Sequence, residues 1–539
     1  MNKNLFILII SLLILNGSVS KELLVEQSKK KILVAGQHIA SHPRIWYLIS
    51  KELKKNENYE VYQILPSDSP LVSKVKTNGV IPILSKNLSQ QVINEYDERM
   101  KANTLGPSGI LEYMQYLTKV FYSQDELIKE IKSLKFDLII CGLFFESQLI
   151  ANTLQIPLYI RIITGNLDSS LQVMMNQHTS HSSQLHLAKT TIFGMEKHEN
   201  LHSFTTNFFT RLRNRLSEHV FCGFGSYFIH QKLYQMIPDN MLEEAKTLRT
   251  PDMILYTGYE GLYPPIALSP NSKIISPLSE DTTETQDIPK DLEEFINRHD
   301  KLILVSFGSV QSPTNQTLSA LSIYMQKQSN YGFIYSARNQ KYLESDILER
   351  IKSLKNVYLA NWLPQTYILS NPKVKIFFSH GGQSSYIESI EAVKPLIVIP
   401  AFANDQFFTC EYVQAIKIGA CMYKPDASHL EEIVKYVEDN NGFIDRLQIL
   451  KKMIEKKKQQ GLGMRYWVDY LMEVGTSEFI SARQYQWFNY LQLYDVDVNI
   501  TIDLILVAIL AIVFAILIKI YRFITCKKSK MTSKSIKAD

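Results

Sequence analysis

Two kinds of apolar pattern alternate along the chain. Residues 31–35 (KILVA), 61–65, 136–141, 301–307 (KLILVSF), 333–336, 357–360, 375–379 (KIFFS) and 396–399 are short, nearly continuous apolar runs. Strands buried on both faces of a parallel sheet look like this. Between the runs lie segments whose apolar residues return every three or four positions. Residues 45–54 are the clearest, with Ile45, Leu48, Ile49 and Leu53 on one helical face. Further on, residues 430–458, 464–472 (MRYWVDYLM) and 484–493 (QYQWFNYLQL) also read as helices. Strand–helix–strand alternation predicts an α/β fold of doubly wound parallel sheets. At 539 residues the chain is too long for one core. The expected division is one domain over 21–263, a polar linker over 264–289, a second domain over 290–445 and closing helices over 446–498.

The two ends carry apolar runs of other lengths. Residues 5–15 are apolar except for Ser11, Asn16-Gly17 breaks the run, and Ser18 and Ser20 are the small residues a signal peptidase reads. Residues 1–20 are therefore expected to be a secretory signal peptide, with an uncleaved anchor as the alternative. Residues 504–518 hold no charge, and the span 499–521 matches a hydrocarbon core about 30 Å thick. Lys519, Arg522, Lys527, Lys528, Lys530, Lys534 and Lys537 follow, against Asp495 and Asp497 before it. Positive charge marks the cytosolic side. The layout predicts a single-pass type I membrane protein with a lumenal or extracellular body and a basic cytosolic tail at 522–539. A formal charge of +5, much of it in that tail, gives no reason to expect a nucleic-acid partner.

Of five cysteines, Cys526 would be cytosolic, and Cys141, Cys222, Cys410 and Cys421 would meet an oxidising lumen. None forms a CxxC pair, so connectivity stays open. Cys141 sits in an apolar run and reads as a free core thiol. Asn87 and Asn315 begin glycosylation sequons.

The densest chemistry lies in residues 361–419. Residues 375–379 end at His380-Gly381-Gly382, a strand followed by a tight glycine turn. Ser384 and Ser385 are suited to cap a helix over about 386–393. Strand, turn and helix N-terminus together make an anion site, and His380 can donate a hydrogen bond to a phosphate. Trp362, in Trp-Leu-Pro-Gln365, offers a face for a stacked base, worth about 1–3 kcal/mol in single-strand nucleic-acid complexes. Glu388 can accept both hydroxyls of a ribose. Asp405-Gln406 follows the next strand, at the edge where parallel sheets bind ligands.

WLPQ, HGG, a helix bearing Glu and then DQ, in this order, resemble the signature of the UDP-glycosyltransferase family, which includes the animal UDP-glucuronosyltransferases. The resemblance implies two facing Rossmann-like domains of the GT-B type plus one C-terminal transmembrane helix. It places uracil on Trp362, uridine on Gln365 and Glu388, and diphosphate on His380, Gly381, Gly382 and the neighbouring Ser384 and Ser385. The sugar falls to Asp405 and Gln406, and Ser309, in Phe-Gly-Ser, touches phosphate. Many relatives carry Asn where Ser384 stands, and residues 400–406 are one longer than the usual spacing.

Transfer to a hydroxyl needs a base, because an alcohol is a poor nucleophile until its proton is taken. Ser41-His42 resembles the family's Ser-His, whose His is that base; His38 is the rival. In the family an acid supports this His. Counting from Phe136-Asp137, its position here is Gly142, and Glu146 is the carboxylate four residues on. The implied activity is inverting transfer of a hexosyl or glucuronosyl group from a UDP-sugar to a small lipophilic acceptor. No cofactor or metal is implied beyond the UDP-sugar co-substrate. Residence in the endoplasmic reticulum follows by family, and homo- or hetero-oligomers are among the expected assemblies. Gly142 motivates the alternative, a non-catalytic UDP-sugar-binding membrane protein that modulates active relatives.

Two short patterns point elsewhere. His198-Glu199-Asn200-Leu201-His202 is formally an HExxH, but spacing marks no third zinc ligand. Asp495-Val496-Asp497 is formally a DxD, and reads as charge flanking the membrane.

Overall fold

Alternation along the apolar runs assigns their side chains to two faces of a sheet. In the first run, Ile32 and Val34 pack with Trp46, Ile49 and Leu53, while Leu33 and Ala35 pack with Ile128, Ile139 and Leu149. Helices therefore cover both sides of the strands.

The computed structural model describes residues 29–36, 38, 42–102, 107–142, 145–164, 226–247, 249–263, 268–278, 288–308, 312–338, 340–401, 404–477, 479–480 and 496–535. The chain divides into two units, Met1–Ser481 and Ala482–Asp539.

The first unit contains two parallel sheets. β1 (Lys30–Ala35), β2 (Tyr59–Pro66), β3 (Ile81–Ser85), β4 (Leu138–Cys141), β5 (Leu158–Ile163), β6 (Met253–Thr257) and β7 (Ser272–Ile275) form one, in the order β3-β2-β1-β4-β5-β6-β7. β8 (Leu302–Ser306), β9 (Gly332–Ser336), β10 (Val357–Ala360), β11 (Val374–Ser379), β12 (Leu396–Val398) and β13 (Gly419–Cys421) form the other, in the order β10-β9-β8-β11-β12-β13. Strand order reverses between β1 and β4, and again between β8 and β11. Crevices beyond the carboxyl ends of such reversals are where doubly wound sheets bind ligands.

The sheets share a core. Ile163, Ile254, Tyr256 and Tyr263 from the first half pack in one cluster with Leu302, Phe377, Tyr386 and Ile390 from the second. The Met464–Val474 helix returns to the first sheet, where Met464, Val468 and Leu471 join Trp46 and Ile49. Asp469 on that helix accepts hydrogen bonds from Tyr59 Oη at 2.5 Å and Asn56 Nδ2 at 3.2 Å.

Three boundaries differ from the sequence reading. The expected linker contains β7, which pairs with β6, because Lys273–Ile275 is too short a run to stand out from its polar flanks. The helix read over 430–458 is two helices, Ala427–Glu438 and Gly442–Gln459. The break falls at Asp439-Asn440-Asn441, whose side chains compete for the backbone. His42 is the first residue of the His42–Lys54 helix rather than part of the loop before residue 45.

Gly36, directly after β1, seats that helix. A Cβ at Gly36 would lie 2.0 Å from Trp46 Cδ2, and Trp46 is fully buried. Gly36→Ala is therefore expected to unseat Trp46 at a cost of about 1–3 kcal/mol, the usual scale of overpacking. A urea-unfolding midpoint equal to wild type would contradict this packing argument.

In the second unit, residues Val496–Ser535 form one helix. Within it Val498–Phe523, with mean hydropathy 3.0, is long and apolar enough to cross a membrane. Residues 1–20 and 484–493 lie outside the described residues.

Candidate active site

The carboxyl ends of β8 and β11 sit side by side, with Ser306 opposite Ser379. Each strand ends in a turn that depends on glycine. Gly308 has φ +78° and Gly381 has φ +90°, values that side chains with a Cβ rarely adopt. The His380 imidazole packs over two of these turns. A Cβ on Gly308 would come within 2.6 Å of His380 Cε1, and one on Gly382 within 2.6 Å of its Nε2. Gly381 N–H donates to Ser379 Oγ at 3.3 Å, and His380 Nδ1 lies 3.4 Å from the same oxygen. This ring keeps part of its surface open, yet burial pushes its pKa down to about 4. His380 is thus neutral at pH 7 and carries one N–H for an anion.

The Gln383–Glu391 helix begins directly at this turn, with Gly382 as its N-cap. The sequence reading had Ser384 and Ser385 as caps of a helix starting three residues later. Instead both lie in the first turn, Ser384 exposed and Ser385 buried, and no side chain caps the end. The first-turn N–H groups therefore stay directed at the glycine turn, as an anion site requires.

Farther along the edge, Trp362 follows β10 and is 50% exposed, an open ring face. Gln365 starts the Gln365–Ser370 helix; its Nε2 donates to Glu388 Oε2 at 2.5 Å and to Ser385 Oγ at 3.4 Å. Burial raises the Glu388 pKa; the Gln365 hydrogen bond and the positive charges of Arg44 and Arg338 oppose it. A half-buried carboxylate held by one amide is a ready acceptor for vicinal hydroxyls. Asp405 lies in the first turn of the Asn404–Ala415 helix, after β12. Gln406 is buried, and its Oε1 accepts from Ala401 N–H at 2.8 Å. The two turns touch: a Cβ on Gly381 would lie 3.1 Å from the Gln406 carbonyl oxygen. A disulfide, Cys410–Cys421, ties the helix of Asp405 to β13, and Cys141 is a buried free thiol. Ser309 lies outside the described residues.

In the first sheet, Ala35 of β1 pairs with Cys141 of β4, so both chains leave the switch point together. The β1 exit leads to His38 and His42, the β4 exit to Gly142 and Glu146. His38 is buried, and burial pushes its pKa down to about 4. His42 is only partly buried and heads its helix. Glu146, in the first turn of the Phe145–Leu154 helix, is 2% exposed and close enough to raise the pKa of Tyr113. Asp137 sits at the other end of β4, where it binds Lys31 N–H at 2.8 Å. Among the described residues no cluster could hold a metal ion, and His198 to His202 lie outside them.

Several contacts were not legible in the sequence. Arg44, two residues after His42, has a positive charge that acts on both Arg338 and Glu388, so the helix of His42 lies near the carboxyl edge of the second sheet. Gln383 Nε2 donates to Tyr263 Oη at 2.7 Å and to the Thr257 carbonyl, tying the anion helix to β6. Lys341 pairs with Glu98 between the two halves. Arg44 stands two residues from a candidate base, and Arg338 follows a strand end; these positions were the available signals.

Two imidazoles, the buried His38 and the partly open His380, make stability depend on pH. Each holds a folded-state pKa of about 4 against 6.5 for the free side chain. Between these values the unfolded chain binds more protons, so stability is intact above about pH 6.5 and is lost as pH falls towards 4. His38 alone accounts for about 3 kcal/mol, and the partly open His380 for less. Urea midpoints from pH 7 to 4.5 should fall accordingly, and His38→Gln should flatten the slope.

Two doubly wound sheets with facing carboxyl-edge sites form the architecture of GT-B glycosyltransferases. Solved structures agree. An anthocyanidin 3-O-glucosyltransferase in complex with UDP superimposes with TM-score 0.54 at 16% identity, over 83% of this chain and 99% of that one. The Phytolacca americana UGT2 complexed with UDP-2fluoro-glucose and pterostilbene gives TM-score 0.53 at 16% identity over the same shares. The profile of the family "UDP-glucoronosyl and UDP-glucosyl transferase" matches residues 14–535, and the chain belongs to that family. UDP-glycosyltransferase UGT4 of Dactylopius coccus is 28% identical over 43% of this chain and 45% of its own length. The chain thus spans less than half of that relative. UDP-glucuronosyltransferase 3A2 of Homo sapiens is 23% identical over 76% of this chain and 78% of its own length.

Proposed function

We propose that the chain transfers a hexosyl or glucuronosyl group from a UDP-sugar to a small lipophilic acceptor, with inversion, from a body anchored by the C-terminal helix. The observation that carries this reading is the order of groups along the second sheet's edge. An open Trp362 after β10, the Gln365–Glu388 pair, the glycine turn after β11 and Asp405 after β12 run in the sequence base, ribose, diphosphate, sugar. His42 takes the acceptor proton as the oxygen attacks the anomeric carbon, and UDP leaves with the bonding electrons. The positive end of the His42–Lys54 helix disfavours an imidazolium at its first residue. Glu146, a buried carboxylate in the first turn of the helix after β4, is the group we assign to its support. The apolar Val498–Phe523 helix, with the basic residues after it, supports a type I anchor, and family membership supports the endoplasmic reticulum. A lipid-partitioned acceptor and oligomers among relatives fit this layout.

Gly142 favours a second reading, a UDP-sugar-binding modulator without turnover. Its carbonyl is engaged by Arg161 where the family places an acid. The test is UDP release by the detergent-solubilised full chain, with UDP-glucose, UDP-glucuronate, UDP-galactose and UDP-N-acetylglucosamine over an acceptor panel. Acceptor-dependent release above a His42→Ala control supports transfer. Saturable UDP binding without release supports the modulator.

A further inference from the structure

β6 ends at Thr257, and the chain bends at Gly258. The Thr257 carbonyl accepts from two donors, Tyr263 Oη at 2.9 Å and Gln383 Nε2. Gln383 Nε2 also donates to Tyr263 Oη at 2.7 Å, and its Oε1 accepts from Thr257 Oγ1 at 3.3 Å. These contacts close a ring of hydrogen bonds between the first half of the chain and the second. Gly258 makes room for it, since a Cβ there would lie 2.1 Å from Tyr263 Oη. Thr257 and Tyr263 are buried, and Tyr263 packs in the apolar cluster that the two halves share. In apolar surroundings a hydrogen-bonded network of this kind specifies one arrangement of its members.

The ring grips the second half at one particular place. Gln383 is the first residue of the Gln383–Glu391 helix, directly after the glycine turn. Its side chain reaches β6, while its backbone belongs to the helix end assigned to the diphosphate. The same loop has two further holds on the second half. Glu260 lies 2.6 Å from Lys457 Nζ, and the Gly261 carbonyl accepts from Tyr412 Oη at 3.4 Å. Those contacts and the shared apolar cluster keep the halves docked without Gln383. What Gln383 adds is the placement of the helix end.

We propose that Gln383 is a positioning residue: through Thr257 and Tyr263 it fixes the diphosphate end of its helix against the exit of β6, so that a bound donor keeps its place relative to the acceptor half. The alignment rests on the transferase reading, whereas the link from the UDP site to β6 needs only UDP binding. A donor displaced slightly from its attacking group still binds but reacts slowly. UDP seated on the helix end should also steady the β6 exit through the ring.

The experiment uses the full chain with Gln383→Met, Tyr263→Phe and, as a control on the same loop, Glu260→Gln. Three quantities are read: kcat, UDP affinity by calorimetry, and amide hydrogen exchange over residues 253–263 with and without UDP. Expected for Gln383→Met is about tenfold lower kcat with UDP affinity unchanged. In the wild type UDP slows exchange over 253–263, and in Gln383→Met it does not. Tyr263→Phe loses part of both effects, and Glu260→Gln keeps both at the wild-type level. A wild-type kcat and exchange response in a folded Gln383→Met protein overturn the proposal. The same losses in Glu260→Gln also overturn it, because the loop would then act through its packing alone. So does a wild type in which UDP leaves exchange over 253–263 unchanged. Should Gln383→Met fail to fold, Tyr263→Phe decides on the same readouts. Should the wild type bind UDP yet turn over no donor, the transferase reading fails, and the exchange response alone decides the link.

Discussion

His42→Ala is expected to lower kcat by about 10²–10⁴-fold, the usual contribution of a positioned base, while UDP affinity stays at the wild-type value. The separation follows from the fold. His42 heads a helix on the first sheet, and the residues we assign to the nucleotide lie on the second. The loss should appear in kcat and kcat/KM together, because the base acts only as the acceptor hydroxyl loses its proton. His38→Ala should lower turnover far less, since His38 is buried with its pKa pushed down to about 4. Equal losses from both variants would mean that the β1 loop acts through its packing and that His42 is not the base. Initial rates with saturating donor, read from pH 6 to 8, check this.

Gly381→Val is expected to remove measurable UDP binding. Gly381 has φ +90°, and a Cβ there would meet Val398 Cγ1 at 2.7 Å and the Gln406 carbonyl at 3.1 Å. Backbone and β12 both resist the change, so the turn must move. The N–H groups of the Gln383–Glu391 helix and the first turn of the Asn404–Ala415 helix then lose their common focus. Strain of this kind costs about 1–3 kcal/mol, and the misplaced amides add to it. Equilibrium dialysis with labelled UDP measures the loss, with a melting curve to confirm folding.

The fold was legible because parallel strands covered on both faces are continuous apolar runs: 333–336, 375–379 and 396–399 match β9, β11 and β12 to within one residue, and 357–360 matches β10, a partly buried edge strand. The candidate nucleotide site is local in the sequence. Trp362 to Gln406 spans few elements, and a glycine turn between a strand end and a helix N-terminus is a recognisable anion-site pattern. What stayed hidden depends on side chains far apart in the chain. Gln383 meets Thr257 across a separation of 126 residues, and Glu98 meets Lys341 across 243. Nothing in the run Leu158–Ile163 says that Arg161 turns towards Gly142, because strand periodicity fixes a face but not a partner. Disulfide pairing was hidden for the same reason; Cys410 finds Cys421 through β12 and β13 pairing.

The central claim is that UDP lies along the carboxyl edge of the second sheet with its base on Trp362. Titrating UDP into the full chain by calorimetry, wild type against Trp362→Ala, tests it most directly. Predicted is saturable one-to-one binding that weakens by about 5- to 150-fold, the equivalent of a lost stacking contact of about 1–3 kcal/mol. Heats that do not saturate, or an affinity unchanged by Trp362→Ala, would contradict it.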